Sequence, residues 1–433
     1  MSAPYKLLIH SANQIVQVVS NGETAVSGQQ TRNLSTIDPG PGDGGCIVIG
    51  RDGNIAAVGL NSDIKDAYMG KCENVYDATN QSIIPGLVDG HTHPVWAGDR
   101  VNEFAMKLAG ASYMEIHEAG GGINYTVEQT RNCSEDHLYD LFKKRLYELM
   151  RSGVTLAECK SGYGLDFDTE ERMLRVINRA THDSEVKMDV SATYCGAHAI
   201  PKGSTAEEAT RDIIDNQIPK LKALCDSWEL HIDNIDVFCE KGVFDVTQSK
   251  GILEAGMSAG WKLNFHAEEF NCLHSVEMGA QLKASAMSHL EEISDEGIQA
   301  MAENGCVATV LPSTAYLLHL KSPPVRKMIE SGVPVALGTD FNPNAYCLSM
   351  PMIMNLACVN YGMTMPQALY AATINAAASL GKSTTHGSIE VGKLGDLVVL
   401  DTTRWEHLIY RIAGTADLVK HVIKSGEIVY SKD

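Results

Sequence analysis

Residues 83–91 read IIPGLVDGH, and the same short apolar style, rich in β-branched residues, returns along the chain. It recurs as GVTLAECK at 153–160, KMDVSATYCGAH at 187–198, NIDVFCE at 234–240, WKLNFHAE at 261–268, ASAMSHL at 284–290, CVATVLP at 306–312 and VPVALGTD at 333–340. Runs of this length and composition suit strands buried on both faces. Stretches with helical periodicity lie between them, such as EDHLYDLFKKRLYELMRSG and TEERMLRVINRATH. Eight such strands alternating with helices predict an α/β fold, a (β/α)8 TIM-like barrel over residues 83–384, with a doubly wound sheet as the rival arrangement. The flanks read differently. LLIHSANQIVQV and GGCIVIGRDGNIAAVG near the start, and SIEVGKLGDLVVLD and LVKHVIKSGEIVYSKD near the end, are strands broken by turn residues, with a polar loop from Gly22 to Gly45. Residues 1–82 and 385–433 are therefore expected to form one small β-sandwich domain built from both termini.

Composition narrows the function. The chain has 433 residues, 44% hydrophobic and 21% charged, which excludes wholesale disorder and allows a large core without disulfide staples. Lys+Arg number 35 against 54 Asp+Glu, a net charge of −19, and the longest basic run is Lys143-Lys144-Arg145. Such a chain is a poor nucleic-acid binder, and an anionic substrate needs a local cation. No apolar stretch reaches the roughly 18 residues of a membrane span, and the N-terminus lacks the pattern of a signal peptide. The 11 cysteines, odd in number and without a CxxC pair, read as reduced thiols of a cytoplasmic protein.

In such a barrel the C-terminal strand ends build the active site. The first run ends in His91-Thr92-His93, and alternation along a strand puts both imidazoles on one side. Later runs end in Lys160, in His198, in His266 with Glu269 three residues on, in His289, and in Asp340 followed by Asn342. Each alone has a bland reading. A lone His in an apolar run is a core residue, Asp340 a turn or helix cap, Glu269 a solvated loop acid. Together, His91, His93, His266 and Asp340 offer three imidazoles and a carboxylate, a set suited to Zn²⁺ or iron. A metal with an open position brings the pKa of bound water to roughly 7. Glu269 is the candidate proton carrier, and His289 can hydrogen-bond the attacking oxygen or the substrate carbonyl.

With these residues assembled, the chain resembles the amidohydrolase superfamily through PGLVDGHTH, HAEE, SHL, GTD and GKLGDLVVLD, over nearly its whole length. More narrowly it is similar to the imidazolonepropionases of the animal type. HTHPVWAGDR (91–100), AGGGINYTVEQTR (119–131), KSGYGLD (160–166), GAHAIP (196–201), FHAEEF (265–270) and GTDFNPN (338–344) carry that likeness. The resemblance implies a hydrolase that opens the ring of 4-imidazolone-5-propanoate to N-formimino-L-glutamate. It implies one divalent metal ion per chain, Zn²⁺ or iron (Fe²⁺/Fe³⁺), on His91, His93, His266 and Asp340. It implies Glu269 and His289 as catalytic groups, and Arg100, Tyr163, His198, Glu269 and Asn342 as substrate contacts. A homodimer is also implied. One departure stands out: bacterial members usually follow Asn342-Pro343 with Gly and then Ser or Thr, which contact the ligand, where this chain has Asn344 and Ala345.

The residues read independently fit this. Arg100, nine residues past His91, can meet a substrate carboxylate, or be an ordinary salt-bridged arginine. Tyr163 lies between two glycines, and Gly120-Gly121-Gly122 reads as a mobile loop beside the site or a plain flexible connection. Three alternatives stay open. One is a binuclear centre bridged by a carbamylated Lys160. Another is a mononuclear deaminase of an aminated heterocycle. The third is a relative without catalytic activity.

Overall fold

The structure, a computed structural model, describes residues 3–40, 42–110, 121–412 and 415–432. Gly120 and residues 111–119 lie outside these. The N-terminal strands are β1 (Tyr5–Ala12), β2 (Gln14–Val18), β3 (Ser35–Ile37), β4 (Gly45–Gly50), β5 (Ile55–Leu60), β6 (Cys72–Asp77) and β7 (Ser82–Pro85). The barrel strands are β8 (Leu87–Asp89), β9 (Val154–Lys160), β10 (Asp189–Ala197), β11 (Asn234–Cys239), β12 (Lys262–Ala267), β13 (Ala286–His289), β14 (Val307–Val310) and β15 (Val335–Leu337). The last three are β16 (Leu397–Leu400), β17 (Val419–Lys424) and β18 (Glu427–Ser431). No helix among the described residues is long and apolar enough to cross a membrane.

Two smaller sheets flank the barrel. One runs β5-β4-β1-β6, the other β18-β17-β16-β7-β2-β3, so C-terminal strands pair directly with N-terminal ones. Alternation explains how they stack. Leu7, Ile9, Ile47 and Ile49 from the first sheet share a buried cluster with Ile15, Ile83, Leu397, Val399 and Ile423 from the second. Their neighbours Leu8, Cys46 and Val48 pack on the outer face. Ile84, Val398 and Val422 join the barrel's own core, so the second sheet lies against the barrel.

All eight apolar runs become parallel barrel strands in sequence order. The run 83–91 needs correction, because it breaks at Gly86 into β7 of the flanking sheet and β8 of the barrel. A Cβ on Gly86 would lie 2.1 Å from Thr155 Oγ1, so the chain crosses between the sheets where no side chain fits. The predicted helices form over Glu135–Arg151, capped by Ser134, and over Phe167–His182, capped by Asp166. The expected loop Gly22–Gly45 also carries β3 and a short 3-10 turn, Gly28–Arg32.

The barrel closes between β15 and β8. Gly90 N donates to Leu337 O at 3.2 Å, Asp340 N to His91 O at 2.9 Å and His93 N to Phe341 O at 2.8 Å. Asp89 accepts from Thr339 N at 2.9 Å and from its hydroxyl at 2.6 Å. This seam sets the His91/His93 pair directly against Asp340. It tolerates no extra atom at Gly338, where a Cβ would stand 2.7 Å from His91 Cβ and 2.9 Å from its backbone nitrogen. Gly338→Ala should therefore lose about 1–3 kcal/mol of stability by overpacking and bind metal more weakly through displacement of His91. Thermal unfolding and metal content measure both. Wild-type values for the two would show that the seam can shift without cost.

Candidate active site and metal centre

Four buried side-chain atoms converge above the strand ends. His93 Nε2 lies 3.3 Å from both His91 Nε2 and His266 Nε2. Asp340 Oδ1 lies 3.5 Å from His91 Nε2 and from His93 Nε2. Ligand atoms at about 2.0–2.2 Å on the corners of a tetrahedron stand roughly 3.3–3.6 Å apart, and these four separations fall in that range, as suits a metal ion held among them. The donor chemistry fits as well. Burial holds the imidazoles of His91 and His93 well below the usual range, in the neutral form that ligates metals. Burial also pushes the Asp340 carboxyl up to about 6, which a neighbouring cation reverses. A metal ion is what this set of residues accommodates.

A shell of partners aims the ligands. His266 Nδ1 donates to Asp236 Oδ1 at 2.7 Å; a carboxylate only accepts, so Nδ1 carries a proton and Nε2 is the atom turned to the ligand cluster. His91 Nδ1 meets Ser288 Oγ at 2.8 Å, and the Thr314 hydroxyl donates to the second Asp340 oxygen. Below them Lys160 Nζ lies 2.7 Å from Asp236 Oδ2 and 2.7 Å from Glu158 Oε2. Burial opposes charge on Lys160, but Asp236 and Glu158 outweigh it and keep the ammonium protonated. Burial likewise opposes ionisation of Asp236, yet His266 and Lys160 hold its carboxyl down to about 2.

The rim carries the remaining expected residues. His198 stacks on His93 with ring centroids 4.7 Å apart and donates from Nδ1 to Gly162 O at 3.0 Å. Burial holds its imidazole down to about 4. Tyr163 packs edge-on to His198 at 5.2 Å. Glu269 Oε2 stands 3.6 Å from His289 Nε2. Burial, reinforced by Glu291, Asp340 and Glu240, pushes the Glu269 carboxyl well above its usual range. Glu268, His289, Leu290 and Asp340 all adopt positive φ, a concentration of backbone strain at the ends of three site strands.

Two residues are differently employed than their sequence suggests. The fork of Arg100 is engaged by Glu103, with Nε to Oε2 at 2.8 Å and Nη2 to Oε1. Glu103 also accepts from Gly122 N at 2.8 Å; although burial opposes its charge, Arg100 and this contact hold its carboxyl down to about 2. Asn342 closes its own turn: Nδ2 donates to Asp340 O at 2.7 Å, and Oδ1 accepts from Asn344 N at 2.8 Å and Ala345 N at 3.1 Å. Asn344 in turn accepts from Lys107, which ties the loop after β15 to the helix Val101–Leu108.

Sequence reading missed Asp236, Ser288, Thr314, Glu103 and Glu291. The one available signal was a polar residue on the inward phase of an apolar strand, as with Asp236 in NIDVFCE. Asp236→Asn keeps the shape but removes the acceptor that fixes His266. Metal affinity should fall about 10–100-fold, as for other partners of metal-bound histidines. Chelator competition measures this, and identical curves for variant and wild type would relieve Asp236 of that role.

Residues 82–429 match the model of the amidohydrolase family. The chain is 54% identical to a mouse protein named "probable imidazolonepropionase" over 433 residues, covering 100% of both chains. It is 49% identical over 434 residues to a protein of the same name from Dictyostelium discoideum, again covering 100% of each. Among solved structures, a zinc-bound adenosine deaminase from Xanthomonas campestris superposes with a TM-score of 0.72 at 16% identity, over 99% of this chain and 93% of that one. A guanine deaminase from C. acetobutylicum gives 0.70, also at 16% identity, over 98% and 99%. These two likenesses speak to the fold alone. By the family match and the full-length identity, the chain belongs to the amidohydrolase family and, within it, to the imidazolonepropionases.

Proposed function

We propose that the chain opens the ring of 4-imidazolone-5-propanoate by hydrolysis, giving N-formimino-L-glutamate. The observation that carries this is the four-atom ligand cluster with Glu269 and His289 beside it, in a chain 54% identical end to end to a probable imidazolonepropionase. One divalent ion, Zn²⁺ or iron, on His91, His93, His266 and Asp340 would supply Lewis acidity and lower the pKa of water toward about 7. A single ion per chain is favoured because the Lys160 ammonium is engaged by two carboxylates and is not presented for carbamylation.

The chain's own residues do the rest. Water oxygen adds to the ring carbonyl carbon, and the bond from that carbon to the ring nitrogen breaks. The nitrogen cannot leave as an anion at neutral pH. Glu269 takes one water proton and delivers it to that nitrogen; the other departs as the new carboxyl group ionises. The raised pKa of Glu269 suits a group that must both accept and release a proton. His289 Nε2 faces Glu269 and hydrogen-bonds the carbonyl oxygen as charge develops there. Arg100, steadied by Glu103, turns its remaining N–H groups to the propanoate carboxylate. Tyr163 and His198 wall the ring, and Asn342 shapes the turn that carries Asp340 while keeping one N–H for the ligand.

Absorbance decay of freshly made imidazolonepropionate, with metal quantified on the same sample, tests the reading directly. Ammonia release from an aminated heterocycle in place of that decay would make the enzyme a deaminase.

Arg100→Ala should raise KM for the propanoate substrate by about 10-fold or more, the worth of a charge-assisted hydrogen bond, and much less for an analogue without the carboxylate. Equal losses on both would assign Arg100 to structure. Glu269→Gln keeps size and hydrogen bonding but cannot carry the proton. It should retain metal and fold normally, with kcat lowered roughly 10²–10⁴-fold. A variant within about tenfold of wild type would move the proton transfer to His289 or to solvent water.

A further inference from the structure

Glu291 has no part in the chemistry described so far, and its surroundings are unusual. It is 1% exposed, and neither carboxyl oxygen has a hydrogen-bond partner among the described residues. Isolating a carboxyl group in this way is costly, so it persists where something else gains. No Lys or Arg among the described residues pairs with it; its neighbour Glu292 takes Lys321 instead.

Among the described residues, the basic group that faces Glu291 is His289. Glu291 Oε2 lies 3.8 Å from His289 Nδ1, which is also buried and without a hydrogen-bond partner. On the other side of the ring, His289 Nε2 faces Glu269 Oε2 at 3.6 Å. The imidazole thus stands between two buried acids, one at each nitrogen. The backbone is bent to achieve this: His289 has φ 76° and Leu290 φ 72°, two successive left-handed residues that are not glycine. That costly turn folds the chain back so that Glu291 returns to the ring of His289. The turn is pinned by Leu290 N to Ala267 O at 3.1 Å and Glu292 N to Glu268 O at 2.9 Å. The Tyr361 hydroxyl, buried and unpartnered, has its pKa pushed up by burial and then by Glu291.

We propose that Glu291 is the positioning residue of His289: its carboxyl group donates a hydrogen bond to Nδ1 and commits the ring to the tautomer with its proton on Nε2, facing Glu269 and the carbonyl oxygen of the substrate. Which ring nitrogen carries the proton is set by the bond the other one makes. The separation is longer than a hydrogen bond and shortens by rotation of the carboxyl group; such contacts tighten when substrate binds. Burial pushes the Glu291 carboxyl up to about 8, so it holds a proton to donate at neutral pH. The inference rests on the hydrolytic reading for its activity test but not for its structural one.

The structural test is ¹⁵N NMR of histidine-labelled, zinc-loaded enzyme, with the His289 ring assigned by its absence in His289→Ala. Wild type should show the proton on Nε2, and Glu291→Leu should lose that preference. A proton on Nδ1 in wild type, or no change in the Leu variant, overturns the proposal whether or not the enzyme accepts imidazolonepropionate. In the activity test, Glu291→Gln, neutral and still a donor, should stay within about threefold of wild type. Glu291→Leu should lower kcat about 10–100-fold with KM and metal content held. Adding it to His289→Ala should cost nothing further. A Gln variant as slow as the Leu variant, or an additive double variant, refutes the role. If Glu291→Leu does not fold, Glu291→Ala in both backgrounds makes the same comparison. Failure of wild type to open the ring while the tautomer shift is observed would sink the proposed function and leave the positioning role standing.

Discussion

Everything at the site depends on how the barrel interior balances charge without water. Lys160 is fully buried, and it survives as an ammonium because Glu158 and Asp236 each lie 2.7 Å from Nζ. A buried ion pair is costly unless its remaining lone pairs are also satisfied. Here the second oxygen of each acid is: Thr193 Oγ1 donates to Glu158 Oε1 at 2.6 Å, and Asp236 Oδ1 accepts from His266 Nδ1. One carboxylate therefore serves both the Lys160 ammonium below and the His266 imidazole above. The layer above holds Asp340 and the imidazoles of His91 and His93, which burial keeps from charging, an arrangement short of positive charge. A metal cation bound there would offset that shortage, balancing the top of the barrel as Lys160 balances its middle.

Much of this fold can be read along the chain because buried parallel strands announce themselves locally. The apolar runs are contiguous in sequence, and those at 83–91, 261–268, 284–290 and 333–340 end at or beside His91, His266, His289 and Asp340. The His-x-His pair is legible for the same reason, since alternation fixes its geometry within three residues. What could not be read depends on contacts across sequence. Nothing in IIPGLVDGH reveals that Thr155 forbids a side chain at Gly86 and splits the run between two sheets. Arg100 reads as a cation awaiting an anion, and only the folded helix turn shows that Glu103 engages it. Asp236 and Glu291 look like ordinary acids because their partners lie on neighbouring strands or beyond a left-handed turn.

With Arg100 as the proposed partner of the substrate carboxylate, its pairing with Glu103 answers a difficulty raised by composition. A chain of net charge −19 repels an anionic substrate at long range, so its cation must be strongly placed at short range. A guanidinium held on one edge by a buried carboxylate keeps its orientation and loses less side-chain entropy when the substrate arrives. The same carboxylate accepts from Gly122 N, which couples the orientation of Arg100 to the start of the helix Ile123–Asn132. The loop after β15 is tied to the same region through Lys107 and Asn344.

The two acids flanking His289 show why neighbouring carboxyl groups of one site need not behave alike. In the proposed reaction Glu269 lies on the substrate side, where its proton has somewhere to go; Glu291 lies across the ring from it, buried, with His289 as the basic group it faces. Both are raised by burial, but only the first can exchange a proton with a reacting atom. In the proposed positioning role, the histidine between them links the enclosed acid to the open one. A strand end bent into two left-handed residues is the structural cost of holding that ring in place. A position serving only packing would adopt an ordinary turn with an apolar side chain, because burying an unpaired carboxyl group for packing alone gains nothing.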